Sequence, residues 1–552
     1  MKAPTTKESS TTAPQRTPIV AAWAPFRHRA FTVIWAATVV SNIGGWMYSV
    51  ASGWLMTSLD PDPFIVSMVQ VANSLPMFLF AIPAGALVDI VDQRRFLIFG
   101  ESAVMITSTA FAALVWMHLI TPTGLLLFSF IVTVGSAMTF PAWQAVVPQL
   151  VSKSELSPAV AANSVGINVS RAVGPALGGL LIGALGIAVP FWLDAFSNAG
   201  VIAALLWWRP PRKRVTDLPP EAFGNALIIG MRHARYNMHL SATLIRAIGF
   251  FVFASAYWAL LPLVARSQIA GGPALYGLLL GVIGAAAVGG AFLLRSLKAK
   301  WGADRLVAGA SFATSVAMVL FAIAHDSVTA IVASVIAGAS WIAAVSTLNV
   351  SAQVALPEWV RGRGLAIYVT VMFGALTIGS ALWGELAAVA GVPVALFFAA
   401  GGTMIAIPFS WRWKLQTGAN LDFSPSMHWP DPVMPRTVDP DRGPVLVTIE
   451  YRIDPKNHEQ FLHALVRYAR ERRRDGAYDW GIFEDPTEEG RFIETFRTDS
   501  WLEHLRQHQR VSKADRVLES AVRRFQVGEG PKTTHLIAAQ IRPASESHKR
   551  GN

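Results

Sequence analysis

Along most of this chain the apolar positions neither alternate nor form stripes. They run on for twenty residues or more, broken by short polar, Pro-bearing or Gly-bearing segments. A helix needs roughly 20 apolar residues to cross the hydrocarbon core of a bilayer. Twelve stretches of that kind precede residue 413: 30–58, 64–90, 96–117, 122–147, 159–184, 189–208, 240–265, 273–296, 305–324, 328–354, 363–390 and 393–411. The pattern then changes. Residues 413–442 are rich in Pro, Asp and Met and read as a linker. Beyond it VLVTIEYRI alternates as a strand does, PKNHEQFLHALVRYARERRRDG has a helical period, and AYDWGIFED and GRFIETFRT are strands. SWLEHLRQHQR and SKADRVLESAVRRFQ read as helices and THLIAAQI as a closing strand.

The expected fold is therefore an all-α polytopic membrane protein of twelve spans followed by a soluble α+β unit. The tail's order, β-α-β-β-α-β over 443–541, is that of a ferredoxin-like domain. A disordered cytosolic lead (1–29) precedes a first six-helix half (30–208), a basic cytosolic loop (209–239) and a second six-helix half (240–412), and a short tail (542–552) closes the chain. The central loop opens with RPPRKR and continues as an amphipathic stretch, EAFGNALIIGMRHARYN.

Composition sharpens this reading. Of 552 residues, 53% are hydrophobic and only 15% charged, with a mean hydropathy of +0.42, which excludes a purely soluble protein. The 46 basic and 35 acidic residues are unevenly placed: the net charge is +10 up to Arg412 and +1 thereafter. The excess thus belongs to the membrane part, where it serves topology, and no nucleic-acid partner is expected. Arg27 and Arg29, Arg94 and Arg95, Lys153, Arg209 to Arg235, Arg295 to Arg305, Arg361 and Arg363, and Arg412 all fall on one side of the spans. The other side holds Asp60, Asp62, His118, Asp326 and one basic residue, Arg266. The positive-inside rule places both termini in the cytoplasm of a multi-pass protein of the cytoplasmic membrane. With no cysteine there are no disulfides, thiolate metal sites or cysteine nucleophiles.

After the second span comes Gly85-Ala-Leu87-Val-Asp89-Ile-Val-Asp92-Gln-Arg94-Arg95. This resembles the loop signature G-x-L-x-D-R-x-G-R-R of the major facilitator superfamily, departing from it at Ile90 and Asp92. The resemblance implies that Asp89 caps the start of span eleven near Gly362 and Gly364, while the arginines hold a closed gate. Span five carries Gly174-Pro175-Ala-Leu-Gly178-Gly179, similar to a motif associated with export in antiporters of that superfamily; small residues there let helices pack closely. Pro141-Ala-Trp143-Gln144 to Pro148, Leu356 to Gly364 and the tail narrow the resemblance to the transmembrane secretion effector branch, which includes siderophore exporters of the enterobactin type. It covers residues 20–541 and implies secondary transport of a small organic molecule.

Ionisable side chains inside spans are costly and point to a substrate or ion path. Glu101, Arg171, Asp194, Arg246 and Glu385 are such groups. Asp194 is the leading proton-coupling candidate, with Arg171 and Glu101 beside it; an Arg171–Asp194 ion pair is the structural alternative. Asn42, Tyr48, Gln70, Asn73, Asn198, Tyr257, Asn349 and Gln353 are expected to face a central cavity suited to an amphiphilic solute.

The tail's order, with Trp501 and His508, resembles antibiotic biosynthesis monooxygenase-like domains, which pair through their sheets; dimerisation through the tail follows from that resemblance. His504 and His508 lie four apart on a helix. No H-E-x-x-H or facial-triad pattern appears, so neither a metal nor a cofactor is expected. No G-x-x-x-x-G-K-[ST] appears either, leaving an ion gradient rather than ATP as the energy source. The expected function is export of a siderophore-, drug- or metabolite-like molecule by proton antiport and alternating access. A membrane-anchored oxidising enzyme, or a transporter gated by a ligand-sensing tail, are the alternatives.

Overall fold

The computed structural model describes residues 23–209, 223–416, 439 and 441–539. All but the first residue of the RPPRKR run, most of the linker and both ends of the chain lie outside the described residues. Twelve helical segments are long and apolar enough to cross a membrane. The first six helices are α1 (Arg29–Leu59), α2 (Pro63–Ile90), α3 (Gln93–Trp116), α4 (Pro122–Leu150), α5 (Leu156–Leu185) and α6 (Val189–Trp207). The amphipathic stretch of the central loop folds as α7 (Phe223–Tyr236). The second set is α8 (Met238–Leu263), α9 (Pro273–Ile323), α10 (Ser327–Val354), α11 (Arg361–Ala390) and α12 (Val392–Ser410). Two candidate spans lie in α9, Pro273–Leu294 and Ser296–Ile323, and Gly302, inside the second range, has a φ of 75° that breaks the helical path.

The short connections are written into the sequence as caps. Asp62 accepts from the backbone N–H groups of Phe64 and Ile65, with Pro63 as the first helical residue. Thr121 caps α4 ahead of Pro122, and Asp326 caps α10 through Thr329. Asp62 and Asp326, two of the acids on the side poor in Lys and Arg, are thus helix starts that satisfy backbone donors a bilayer cannot. Large apolar side chains such as Phe99, Ile106, Phe292 and Ile405 stand exposed around the bundle, as a lipid-facing surface requires.

The two halves meet through small residues. A Cβ on Gly277 of α9 would lie 2.5 Å from the Pro175 carbonyl oxygen and 2.7 Å from Gly179 Cα on α5. Gly174 and Gly178 face α1 instead, against Trp46 and Met47. Between α2 and α11, Ser67 touches Gly384, and Thr377 donates to Ser74 at 2.9 Å. At the same end Arg266 donates to Thr57 Oγ1 (2.9 Å) and Ser58 Oγ (2.6 Å) on α1, with its guanidinium over the Trp54 ring. The one basic residue on the acidic side is a latch between halves.

The tail contains a four-stranded antiparallel sheet with helices. Its elements are β1 (Val445–Arg452), α13 (His458–Arg474), β2 (Tyr478–Glu484), β3 (Arg491–Thr498), α14 (Trp501–Arg510), α15 (Lys513–Arg523) and β4 (Lys532–Ile537). The strand order is β2-β3-β1-β4. Alternate residues of β1, Val445, Val447, Ile449 and Tyr451, are buried with Phe461, Leu465 and Phe496, so the period-two pattern supplies the core face.

The cysteine-free chain allows a direct test of inter-half closure. A Ser74→Cys/Thr377→Cys pair should cross-link under mild oxidation, and a lone Asn163→Cys should react with a hydrophilic maleimide. A resting protein in which the pair stays reduced and Asn163→Cys is inert would contradict this arrangement.

Candidate functional site

Between the halves lies a cavity of about 680 Å³, within the range of small-molecule sites. Its lining runs from Asp194, Tyr48 and Gln70 in mid-bundle to Phe31 and Ile34 at the start of α1, Leu150 at the end of α4 and Asn163 in the second turn of α5. It therefore reaches the end of the bundle that carries the Arg-rich loops, while the opposite end is the one held by Gly179, Gly277 and Arg266.

Among the described lining residues the ionisable ones are Glu101, Arg171, Asp194 and Tyr48. Asp194, on α6, is 4% exposed and accepts a hydrogen bond from Ser108 Oγ on α3 at 2.9 Å. Gly44 of α1 makes room for it, since a Cβ there would meet Asp194 Cα at 3.1 Å and Ser197 Oγ at 2.6 Å. Glu101 accepts from Trp143 Nε1 at 2.9 Å. Arg171 extends from α5 with its guanidinium over Trp46, and its Nε has no hydrogen bond among the described residues. No ion pair joins Arg171 to Asp194 among those residues. The charges instead line one cavity as separate groups, a cation and two carboxyls aimed at whatever occupies it. Asn198 accepts from Ser41 Oγ at 2.8 Å, and Tyr48 shares a 3.4 Å contact with Ser129. Asn42, Gln70 and Asn73 also line the cavity.

Three expected lining residues do not. Tyr257 is 1% exposed in the core of the second half, packed on Trp258 and Phe321. Asn349 and Gln353 are exposed on α10 and bond each other at 3.2 Å. Polarity near a helix end is satisfied as readily at the bundle surface as in a cavity, and an apolar span carries no stripe to tell the two apart. Arg246 is tied structurally, to Asp304 (3.2 Å) and the Trp413 carbonyl (2.8 Å). Trp35, Trp46, Trp258 and Trp341 of the aromatic lining, together with Ser108, carry no signal in the sequence that sets them apart, and Trp143 belongs to a motif that did not mark it as a cavity residue.

The loop signature also lands differently. Arg94 donates to the Leu205 and Leu206 carbonyls, both at 2.7 Å, capping the negative end of α6 within its own half. Arg95 is exposed. The side chain of Asp89 lies outside the described residues; its backbone forms the last turn of α2. Beside Gly364 stands Leu356, while the space at Gly362 is open. An arginine that would bind across the halves in a closed gate satisfies helix carbonyls of its own half when that end is open.

The tail rests on the basic end of the second half. Arg232 of α7 donates to the Gly476 carbonyl at 2.9 Å, Arg510 lies 4.2 Å over the Trp359 ring ahead of α11, and His233 stands edge-on to the same ring. His504 and His508 do face the same way, with ring centroids 4.8 Å apart. Beside this junction Arg474 holds Asp475 (2.9 Å) and Asp515 (2.9 Å) and also pairs with Glu471. One cation does not balance three carboxylates, two of them buried and that of Glu471 half-buried. Burial, aided by their mutual repulsion and opposed by Arg474, pushes Glu471 from 4.5 to about 7 and Asp475 from 3.8 to about 6.

The family described as transmembrane secretion effector matches residues 20–544. The staphyloferrin A transporter of Staphylococcus aureus (strain NCTC 8325 / PS 47) is 22% identical over 63% of this chain and 87% of its own length. The macrolide efflux protein A of Streptococcus pyogenes is 25% identical over 44% of this chain and 60% of its own length. Among solved structures, a POT family transporter in complex with 5-aminolevulinic acid superposes with a TM-score of 0.56 at 13% identity, covering 69% of this chain and 95% of that one. A bacterial homologue of the human lysosomal transporter Spinster, inward-facing and unoccupied, gives 0.54 at 14% identity over 71% and 97%. These superpositions establish the fold.

The raised carboxyls set a pH dependence. The folded tail holds these protons more tightly than the unfolded chain, so the stabilisation is complete below the ordinary carboxylate range and is lost as pH rises through about 6 and 7. His233, pushed down to about 3 by burial and the nearby Arg474, has the opposite slope, losing stability as pH falls below its ordinary 6.5. Amide-exchange protection of α13 in the full chain should therefore fall between pH 6 and pH 8, and less steeply in Glu471→Gln. Equal slopes in the two proteins would remove Glu471 as the cause.

Proposed function

This chain belongs to the transmembrane secretion effector family of major facilitator transporters, and from that premise we propose that it exports a small organic molecule, siderophore-, drug- or metabolite-like, across the cytoplasmic membrane by proton antiport. The observation that carries the reading is the cavity, open toward the basic end, closed opposite, and lined by tryptophans around a buried carboxyl with a single hydroxyl partner. The positive-inside rule makes the basic end cytoplasmic, so the cavity loads from the cytosol. Both termini and the tail then lie on the same side, and the chain divides as two six-helix halves, a basic central loop, a linker and a cytosolic domain.

Aromatic walls and side-chain amides suit an amphiphilic solute, and Arg171 over Trp46 offers a cation for an anionic group on it. Asp194 carries the exchanged proton: held by Ser108 and bordering the cavity, it gives up its proton when a solute displaces it and regains it from the outside-facing state. The relatives named as a staphyloferrin A transporter and a macrolide efflux protein support organic molecules as cargo. Rocking of the two halves about the site, with separation at Gly179 and Gly277, completes the cycle.

A second reading concerns the tail. Its strand order fits a ferredoxin-like unit, and its seat on α7 and Trp359, beside the start of α11, favours a gating module over a separate enzyme. Dimerisation would use the free edge of β2 or β4.

Two measurements test the transport reading. Small molecules inside and outside cells with and without the gene, compared by mass spectrometry, should reveal one compound retained inside when the gene is absent. In proteoliposomes Asp194→Asn should lower proton-driven transport of that compound by about tenfold or more, a loss of at least about 1.4 kcal/mol of coupling. It should leave counterflow exchange intact. Wild-type rates in Asp194→Asn across a range of proton gradients would defeat the assignment.

A further inference from the structure

Tertiary folding brings a third histidine to the pair on α14. His535 lies on β4, opposite Val447 of β1, and its ring centroid is 4.7 Å from that of His504. One ring nitrogen from each of His504, His508 and His535 lies within 4.8 Å of the others. Three imidazole nitrogens around a zinc ion, each at about 2.0–2.1 Å, stand roughly 3.3 Å apart, a distance these side chains reach by small rotations about their own bonds.

The surroundings fit a ligand set better than an aromatic stack. His504 is 2% exposed, and neither of its ring nitrogens has a hydrogen bond among the described residues. A buried imidazole in that state has an uncompensated desolvation cost that a metal bond would remove. Gln507, also buried, has its side chain near enough to act on the His504 ring, though without a well-formed hydrogen bond among the described residues, and is placed to orient the ring or a bound water. Trp501 packs on both His504 and His535 and fixes their planes. His508 and His535 are half-buried and form the mouth, giving an ion a path in and a position for a fourth ligand.

Charge is compatible as well. The neutral imidazole is the form that ligates. The nearby Arg472 is balanced by Glu494, to which it bonds at 2.8 Å. Three imidazoles without a carboxylate or thiolate favour zinc-like transition metals over Mg²⁺ or Ca²⁺.

We propose that His504, His508 and His535 form a binding site for one Zn²⁺-class divalent ion in the tail. The site joins α14 to β4, and α14 ends at Arg510, the residue stacked on Trp359. An ion there would stiffen the helix through which the tail meets the membrane bundle.

The test uses the full chain, purified without a polyhistidine tag and stripped with chelator. Titrated with Zn²⁺ alone, it should bind one equivalent per chain and gain thermal stability. Titrated with Co²⁺, it should develop the visible absorption of a tetrahedral site, which Zn²⁺ then bleaches. His508→Ala and His535→Ala should each weaken binding by about tenfold or more, whereas His463→Ala, on the exposed face of α13, should bind as wild type. Unfolding midpoints of the stripped variants keep loss of a ligand distinct from loss of fold, and His508→Gln supplies a second variant if alanine unfolds the tail. Absence of stoichiometric binding, or binding unchanged in folded His508 and His535 variants, would overturn the site.

Discussion

At Gly179 and Gly277 the backbones of α5 and α9 approach until no side chain fits between them, and the architecture of the cavity follows from that contact. In a bilayer there is no hydrophobic force to drive one apolar helix against another, so adhesion comes from close packing, which small residues permit. Pro175 and Ala172 on α5 and Gly281 and Gly284 on α9 extend the seam along one part of the helices. Nearer the basic end, Asn163 and Ile167 of the same α5 line open space. Contact at one end and separation at the other is what a rocking pair needs. Because the seam is held by packing, by the Ser74–Thr377 hydroxyl pair and by Arg266, no ion pair among the described residues has to be broken for it to part.

The polar content of the cavity is sparse and correspondingly consequential. A carboxyl buried among helices is stabilised by whatever dipoles surround it, and Asp194 has one hydroxyl from Ser108. Had it paired with Arg171 the two charges would have cancelled, and a structural role would have sufficed. Their separation leaves a cation facing the cavity through the indole of Trp46 and a carboxyl free to change protonation. The same space then offers opposing electrostatic states to a solute and to a proton, the minimum that coupled exchange requires.

How much of this was legible in the sequence depended on the range of the interaction. Helix starts were readable because Asp62, Thr121 and Asp326 act on backbone groups within three residues. The tail's elements were readable because VLVTIEYRI buries alternate residues of one strand. Side-chain facing in the spans was not: Asn349 and Gln353 look no different from Asn42 and Asn73 in an apolar run, yet only the latter pair meets the cavity. The role of Arg94 depended on which end of the bundle is open, a property of the conformational state rather than of the motif. The nearness of His535 to His504 was not legible, because β4 is set in place by pairing with β1 and not by spacing along one helix.

The tail is bound to the bundle in a way that links two chemistries. Its contacts, Arg232 to the Gly476 carbonyl and Arg510 on Trp359, fall where α7 and the start of α11 meet. Gly230 of α7 also packs on Arg363, in the first turn of α11. A change in the packing of α13 or α14 therefore acts on the helix that must move when the basic end closes. Arg474, with its surplus of carboxylates, abuts this junction through its neighbour Asp475, and the histidine cluster lies one turn from Arg510 on α14. Titration of the first and occupancy of the second would both alter contacts beside Trp359, and on the proposed reading of the tail as a gating module that contact is the route by which its docking would bear on the cavity.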